Sequence, residues 1–178
     1  MKRRNFIKTL ALGGLLSAPL FARGFRTKTI TQAQKAELLY IYQEEKVARD
    51  VYITLGKLYP NENTFASIQL SEQRHIDSAQ TLCEKYNVDI SKVNELGVGN
   101  FVLPELQEMY DILILRGSES LIDALYVGRD IEVKDITDLN DALAMFSGFT
   151  DVQNVFSNLK EGSLNHLDAF NNAISRFN

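Results

Sequence analysis

The sequence predicts an all-α protein in which four long helices form a bundle and short extra helices occupy the connections. Apolar residues recur at steps of three and four, the spacing that places them on one buried face of a helix. Capping and stop signals divide this pattern into segments, and no segment is convincing as a strand. The length fits a single domain with a substantial core.

The first 22 residues are predicted to be an export signal. Residues 3–8, RRNFIK, match the twin-arginine pattern, and residues 10–20 form an apolar run that is too short to span a membrane. We expect cleavage after Ala22; an uncleaved N-terminal anchor is the alternative. This interpretation predicts the twin-arginine export machinery as a partner and the periplasm as the destination.

Charge and cysteine content exclude several classes of protein. Four of the 19 basic residues and none of the 23 acidic residues lie in residues 1–22, which leaves a net charge of −8 after cleavage. Such an acidic chain is not expected to bind nucleic acid, or to associate stably with membranes once the signal is removed. Cys83 has no partner for an internal disulfide and is interpreted as a small apolar filler. A homodimer is left open.

Residues 23–30 are predicted to be a linker and residues 31–178 the helical domain. Thr31-x-x-Gln34 is a capping-box pattern that begins a helix reaching about Leu58. Thr64 can cap a second helix, which is expected to reach about Tyr86. Residues 87–101 are predicted to be irregular.

The second half of the chain is predicted to contain two short helices, each followed by a long one. Pro104 is expected to begin a short helix that ends near Gly117. A third long helix should run from Ser118 or Ser120 through Asp135, and a short piece should begin at Thr137 or Asp138 and end at residues 147–148. Thr150-x-x-Gln153 is expected to open the last helix. Two helical pairs joined by one long connection match the ferritin-like pattern.

Potential metal ligands lie in the middle of each apolar stripe, where a core residue should be apolar. They are Glu45 in the first helix, Glu72 and His75 in the second, Glu132 and Asp135 in the third, and His166 in the fourth. Burying an ionised carboxylate costs several kcal/mol even after relaxation, and Arg49 is the only cation near these stripes. A pair of divalent metal ions would neutralise the group, and carboxylates with imidazoles suit iron or manganese.

Each candidate has a simpler structural interpretation. Glu72 and His75 would also fit a buried hydrogen-bonded pair, and His166 a core histidine bonded to a carbonyl. Asp135 would also fit the end of its helix. Glu44 is interpreted as solvated surface, because only one of two neighbouring residues can point inward. The tyrosines are more often core aromatics than redox relays, and Ser163 is most simply a small residue that lets helices approach.

Motifs in the first two helices resemble those of rubrerythrin-type ferritin-like proteins. The first is Glu45-x-x-Ala48-Arg49-x-x-Tyr52, and the second is Glu72-x-x-His75. Residues 37–172 also resemble the bacterial ferritin-like family known as domain of unknown function 2202. That likeness rests on residues 44–52, 71–75, 104–110, 123–128 and 163–170.

The resemblance implies Glu45, Glu72, His75 and His166 as ligands, with Glu132 as the carboxylate of the third long helix. Ser163 stands where related di-iron sites have a glutamate, so Asp135 replaces it or one metal position is weaker or lost. The implied function is a di-iron or iron/manganese centre that reacts with oxygen or peroxide, or that oxidises ferrous iron. The alternative is a non-catalytic periplasmic module for metal storage, sensing or partner binding.

Overall fold

The computed structural model describes residues 29–94 and 96–177, and within these ranges the chain is all-helical and has no strand. Its helices are α1 (Gln32–Leu58), α2 (Asn63–Lys85), α3 (Ser91–Asn94), α4 (Pro104–Gly117), α5 (Leu121–Met145) and α6 (Thr150–Ser175). The predicted export signal and residues 23–28 of the predicted linker lie outside the described residues. In the part described, no helix is both long and apolar enough to cross a membrane.

The four long helices form two hairpins. Helix α1 packs along α2 and α5 packs along α6, and the hairpins meet through the contacts of α1 with α5 and of α2 with α6. The connection from α2 to α5 carries α3 and α4, and α4 packs against both α1 and α5. All four long helices therefore contribute to one interior.

Two apolar clusters form this interior, one toward each end of the long helices. The first includes Leu38, Ile76, Leu139 and Leu159, and the second includes Val51, Phe65, Leu125 and Phe170. On every long helix, the polar residues of the predicted site lie between the segments that supply these two clusters. The candidate ligands therefore form a polar layer between two apolar ones.

The helix starts are partly as predicted. Thr31 and Gln34 form the predicted capping box, with Thr31 Oγ1 accepting from the Gln34 amide at 3.1 Å and Gln34 Oε1 accepting from the Thr31 amide at 2.9 Å. The prediction of Thr64 as the cap of α2 is wrong, because the Glu62 carboxylate accepts from the Thr64 amide and takes that role. Helix α6 begins at Thr150 without a side-chain cap.

Two other predictions of secondary structure are wrong. Helix α5 continues without a break past Asp135 and Thr137, whose hydroxyl donates to the Val133 carbonyl inside the helix at 2.9 Å. The buried stripe also continues to Ala142, so packing favours one helix over two. Residues 91–94 form the short α3 within the stretch expected to be irregular, and Ile30 of the predicted linker is buried in the core.

Helices α5 and α6 approach closely at Gly128. A Cβ added there would lie 2.2 Å from Cε1 of Phe170, so no larger residue fits without moving this ring. The ring of Phe170 also packs against Tyr52, with ring centroids 5.2 Å apart, and against Phe65 at 5.8 Å. Gly128 therefore fixes the position of an aromatic cluster beside the polar layer.

We expect Gly128→Ala to lower the free energy of unfolding by about 1–3 kcal/mol, because overpacking outweighs the gain in helix propensity. Urea denaturation measures this change. Gly97→Ala is the control, since an added Cβ there has no neighbour closer than 3.8 Å. Adding Phe170→Leu to Gly128→Ala should recover part of the loss; equal stability of Gly128→Ala and the parent would contradict the packing argument.

Candidate metal centre

Glu72, His75 and His166 form the centre of the polar layer. Each offers a ligand atom, and these atoms all lie within 4.8 Å of one another. Glu72 Oε2 lies 2.9 Å from Nδ1 of His75, and Glu72 Oε1 lies 2.8 Å from Nδ1 of His166. The two imidazoles stack, with ring centroids 5.3 Å apart and planes inclined by 27°. One carboxylate thus stands between two imidazoles.

Glu45 and Glu132 each lie beside one of the two imidazoles. Glu45 Oε2 lies 3.1 Å from Nδ1 of His75, and Glu132 Oε2 lies 3.5 Å from Nδ1 of His166. Both carboxylates are almost completely buried, with 1% and 2% of their surface exposed. The chain therefore brings one carboxylate from α1 and one from α5 to the paired imidazoles, as the apolar stripes predict.

Hydroxyl groups hold two of the carboxylates. Tyr52 donates from its hydroxyl to Glu132 Oε1 at 2.6 Å, so this buried tyrosine positions a candidate ligand. Ser163 Oγ lies 2.5 Å from Asp135 Oδ2 and 3.0 Å from the Leu159 carbonyl oxygen. Ser163 is therefore more than a small residue at a helix contact. Asp135 belongs to the polar layer, but Ser163 holds it, and among the described residues neither imidazole forms an ion pair with it.

Gly162 makes room for the ring of His75. A Cβ at residue 162 would lie 2.4 Å from His75 Nε2, so the imidazole lies directly over the backbone of α6. This contact leaves Nδ1 of His75 facing Glu45 and Glu72. The absent side chain at position 162 thus helps to set the orientation of a candidate ligand.

Burial controls the pKa values of the carboxylates. It raises the pKa of Glu45 to about 7 and that of Glu132 to about 8, and it raises the pKa of Asp135 well above its usual range. Burial also acts against ionisation of Glu72, but contacts with His166 and His75 outweigh it and lower the pKa of Glu72 to about 2. The central carboxylate is thus ionised, while protons are favoured on the surrounding ones.

Burial would lower the pKa of each imidazole, but the carboxylates reverse that effect. Glu45 and Glu72 raise the pKa of His75 to about 11, and Glu132 and Glu72 raise the pKa of His166 to about 9. Without a metal ion, the layer therefore retains protons on its imidazoles and on its outer carboxylates. A divalent cation would take the place of those protons.

The donor set fits a metal ion. Among the described residues, Glu45 Oε1, Glu72 Oε1, Asp135 Oδ1 and His166 Nδ1 are buried and form no hydrogen bond. His166 Nδ1 and Glu72 Oε1 approach to 2.8 Å without the alignment that a hydrogen bond requires. Buried polar atoms without partners are costly. Carboxylate oxygens and imidazole nitrogens that converge in this way are ligands that iron and manganese accept.

Comparison with known proteins identifies the family. The pattern of a family described as an uncharacterized protein domain, DUF2202, matches residues 34–177. The chain belongs to the DUF2202 family. Over 141 residues it is 39% identical to the uncharacterized protein MJ0754 of Methanocaldococcus jannaschii, covering 79% of this chain and 75% of that protein. Membership of the family is confirmed, whereas the relationship to ferritin-like di-iron proteins stays a prediction.

A solved structure supports the fold of the DUF2202 chain. The crystal structure of the hypothetical protein MJ0754 from Methanococcus jannaschii DSM 2661 matches it with a TM-score of 0.78 and 35% identity. The match covers 84% of each chain. The relative's name states no activity, so any function must be argued from the site.

Three charged residues of the α1 motif in the DUF2202 chain lie away from the candidate ligands. Lys46 is buried, and its Nζ contacts Asp50 Oδ2 at 2.5 Å and donates to the Gly97 carbonyl at 2.9 Å. Asp50 Oδ2 also accepts from the Gly99 amide at 2.9 Å. Arg49 pairs with Asp50 at 2.7 Å and does not neutralise the candidate ligands. Lys46 and Asp50 instead attach the long connection to α1.

The interpretation of Glu44 as solvated surface is wrong. Glu44 is only 3% exposed, and its Oε1 lies 2.5 Å from Nζ of Lys134 on α5. Neighbouring residues of a helix project about 100° apart, so Glu45 faces the polar layer while Glu44 faces the junction with α5. Because its partner lies 90 residues away in the sequence, the stripes of α1 gave no signal for this ion pair.

We expect the metal-free DUF2202 protein to lose stability as pH rises from about 5 to 9. The pKa values of Glu45, Glu132, His75 and His166 are all raised on folding. Each stabilises the fold below its unfolded pKa, and that contribution is lost as pH rises through the folded pKa. The free energy of unfolding falls by about 1.4 kcal/mol per pH unit for each proton that the folded state retains and the unfolded state has lost. The pKa of Glu72 is instead lowered on folding, so its effect on stability has the opposite sign and is confined to pH values below about 4.5.

Urea denaturation in the presence of a chelator, at pH values from 5 to 9, measures this loss. Glu132→Gln provides the comparison, because it removes one titrating carboxylate while retaining an acceptor for Tyr52. Its stability should decline less steeply. A metal-free protein whose stability is constant or rises over this range would contradict the assignment of protons to the imidazoles and outer carboxylates of the polar layer.

Proposed function

We propose that this DUF2202 protein is an exported ferritin-like metal-binding protein with a di-iron or iron/manganese carboxylate centre. The observation that carries the proposal is the buried group of Glu72, His75 and His166, whose ligand atoms lie within 4.8 Å of one another. An isolated buried cluster of this kind has a large desolvation cost, and a divalent cation offsets it. The two hairpins and their long connection support a ferritin-like topology.

The arrangement of ligands favours two ions over one. Glu72 presents one oxygen to His75 and the other to His166, Glu45 lies on the His75 side, and Glu132 lies on the His166 side. Each half would hold one ion through an imidazole and its flanking carboxylate, with Glu72 shared between them. Ser163 stands where related di-iron sites have a glutamate ligand on α6, and it contacts Asp135. Asp135 would supply the carboxylate that this glutamate provides elsewhere.

The function we infer is redox chemistry with oxygen or peroxide, or oxidation of ferrous iron. Bound iron or manganese would supply the electrons and the open coordination positions. The protein's own residues orient the ligands, with Tyr52 holding Glu132. The two apolar clusters exclude water from the layer.

A non-catalytic role in metal storage or sensing is the second candidate. Ser163 in place of a glutamate removes one ligand, and His75 and His166 are each only 7% exposed. Little contact with solvent favours retention of an ion over turnover, and the missing carboxylate departs from the ligand set that related di-iron sites have. Reaction of the loaded protein with excess peroxide separates the two roles, since catalysis consumes many equivalents and storage does not.

We expect wild-type protein to bind iron or manganese and Glu72→Gln to lose at least about tenfold in affinity, because the shared carboxylate loses its charge. At a hundredfold excess of metal over Kd, binding should stabilise the wild type by about 2.7 kcal/mol. Calorimetric titration and thermal melts with and without ferrous iron or Mn²⁺ measure both effects.

The matched control is Glu161→Gln, which makes the same change at an exposed position of α6. It should bind metal and melt like the wild type. Identical melts of the wild type with and without metal would refute the metal centre and leave a structural or partner-binding bundle.

Export is proposed from residues 3–8 and 10–20 alone. Changing Arg3 and Arg4 to lysine should leave the precursor in the cytoplasm, because the paired arginines are the feature that the twin-arginine receptor recognises. Cell fractionation with immunoblotting tests this, and Lys2→Arg is the control that leaves the pair intact. Undiminished periplasmic accumulation of the double-lysine variant would exclude this route.

A further inference from the structure

The polar layer is not equally buried on all sides. Glu45 and Glu132 are only 1% and 2% exposed, and Tyr52 beside them is fully buried. The side chains of His75 and His166 are each 9% exposed. Solvent therefore reaches the layer most closely at the two imidazoles, which lie on α2 and α6.

Each imidazole presents one nitrogen to the layer and the other to solvent. Nδ1 of His75 lies 2.9 Å from a Glu72 oxygen, and Nδ1 of His166 lies 2.8 Å from the other. Among the described residues, no hydrogen bond reaches Nε2 of either ring, yet neither Nε2 is among the buried atoms that lack a partner. Both Nε2 atoms are therefore in contact with solvent, so each ring extends from the carboxylates to the outside.

Helix α4 covers the opposite side of the bundle. It packs against α1 and α5, and the hairpins place these two helices opposite α2 and α6. No other helix of the described residues packs against both α2 and α6. A helix thus separates the layer from solvent on one side, whereas the two imidazoles do so on the other.

Small residues flank both imidazoles where α2 meets α6. They stand four residues before and three residues after each histidine, the spacings that share one face of a helix. All four are half-buried, and none has a side chain larger than a hydroxymethyl group. We call them the seam: Ser71 and Ser78 around His75, and Gly162 and Ala169 around His166.

We propose that the divalent cation enters and leaves the polar layer through the seam, past His75 and His166. The Nε2 atoms are the first groups that it meets, and imidazole nitrogens are ligands that iron and manganese accept. Turning one imidazole within the seam then opens the way to Glu72 without moving a helix. The inference rests on the proposed metal centre and adds the route by which that centre is filled.

Ser78→Leu tests the route by placing a larger side chain beside the His75 imidazole. The Ser78 hydroxyl donates to the Arg74 carbonyl of its own helix at 2.8 Å, so the change removes no bond between helices. We expect the rates of Mn²⁺ uptake by the metal-free full chain, and of Mn²⁺ release to excess chelator, to fall together at least tenfold. Because Kd is the ratio of the two rate constants, the affinity should stay within about twofold.

Stopped-flow tyrosine fluorescence follows both rates. The chain has seven tyrosines and no tryptophan, and the Tyr52 hydroxyl contacts Glu132 of the layer at 2.6 Å. Ser71→Leu, on the other side of His75 along α2, should slow both rates in the same way and provides a second variant if Ser78→Leu does not fold. Circular dichroism establishes that each variant is folded.

Two controls bracket the result. Ser157→Leu makes the same substitution at an exposed position of α6 and should exchange Mn²⁺ like the wild type. Leu113→Phe adds volume on the opposite side of the bundle, where Leu113 lines a cavity between α1, α4 and α5. It should also leave both rates unchanged.

Wild-type rates in folded Ser78→Leu and Ser71→Leu variants would overturn the route and leave the metal centre intact. Slower exchange in Leu113→Phe alone would place the entrance between α1 and α5. A weaker affinity with an unchanged uptake rate would show that the seam residues act on the bound state, which also contradicts the route. Failure of the wild type to bind Mn²⁺ at equilibrium would instead refute the metal centre, and this inference with it.

Discussion

The burial of ionisable groups at the centre of the bundle is the constraint on which the rest of the structure depends. Glu45, Glu72, Glu132 and Asp135 lie in one layer with two imidazoles, and each is at most 7% exposed. Water would solvate these groups far better than a protein interior does. The layer is therefore stable only if its own members compensate one another, through protons, hydroxyl donors or a cation. Because each long helix contributes a member, this compensation also couples the two hairpins.

The charged stretch of α1 shows how one helix serves three separate contacts. Glu45 faces the polar layer, Glu44 pairs with Lys134 of α5, and Lys46 with Asp50 attaches residues 97–100. A buried ion pair contributes little net stability, but it is costly to break because one charge is then left alone. Such pairs specify which surfaces meet. They fix the connection that carries α4.

Periodicity predicted the polar layer because it needs only the local geometry of each helix. Glu45, Glu72 and Glu132 stand at positions where the apolar stripe requires an inward-facing residue, and the structure buries them. The stripe of α6 is less well defined, because its spacing admits Val155 and Ala169 as well as their neighbours. Val155 and Ala169 are partly buried against the two apolar clusters, whereas Phe156 and Phe170 are fully buried. A stripe is wide enough to admit either of two neighbours, and the fit of Phe170 over Gly128 decides between them.

Contacts between distant residues were the part that the sequence did not reveal. The pairing of Glu44 with Lys134 depends on how α1 and α5 are placed, which neither segment encodes alone. The same is true of Ser163, which by residue type is a small helix-contact residue and acquires a role only because Asp135 faces it. Even the continuity of α5 past Asp135 is a tertiary effect, since Leu139 and Ala142 are buried beyond the expected break.

The hydrogen bonds of Ser163 change with the protonation state of Asp135. The Ser163 hydroxyl has one proton and two acceptors, Asp135 Oδ2 at 2.5 Å and the Leu159 carbonyl at 3.0 Å. When Asp135 is ionised, the serine proton is directed to the carboxylate. When Asp135 is protonated, as its raised pKa favours, the acid donates to Ser163 and the serine is free to donate to Leu159. The serine therefore accommodates both states of its neighbour, which a glutamate at the same position, adding a further buried negative charge, would not.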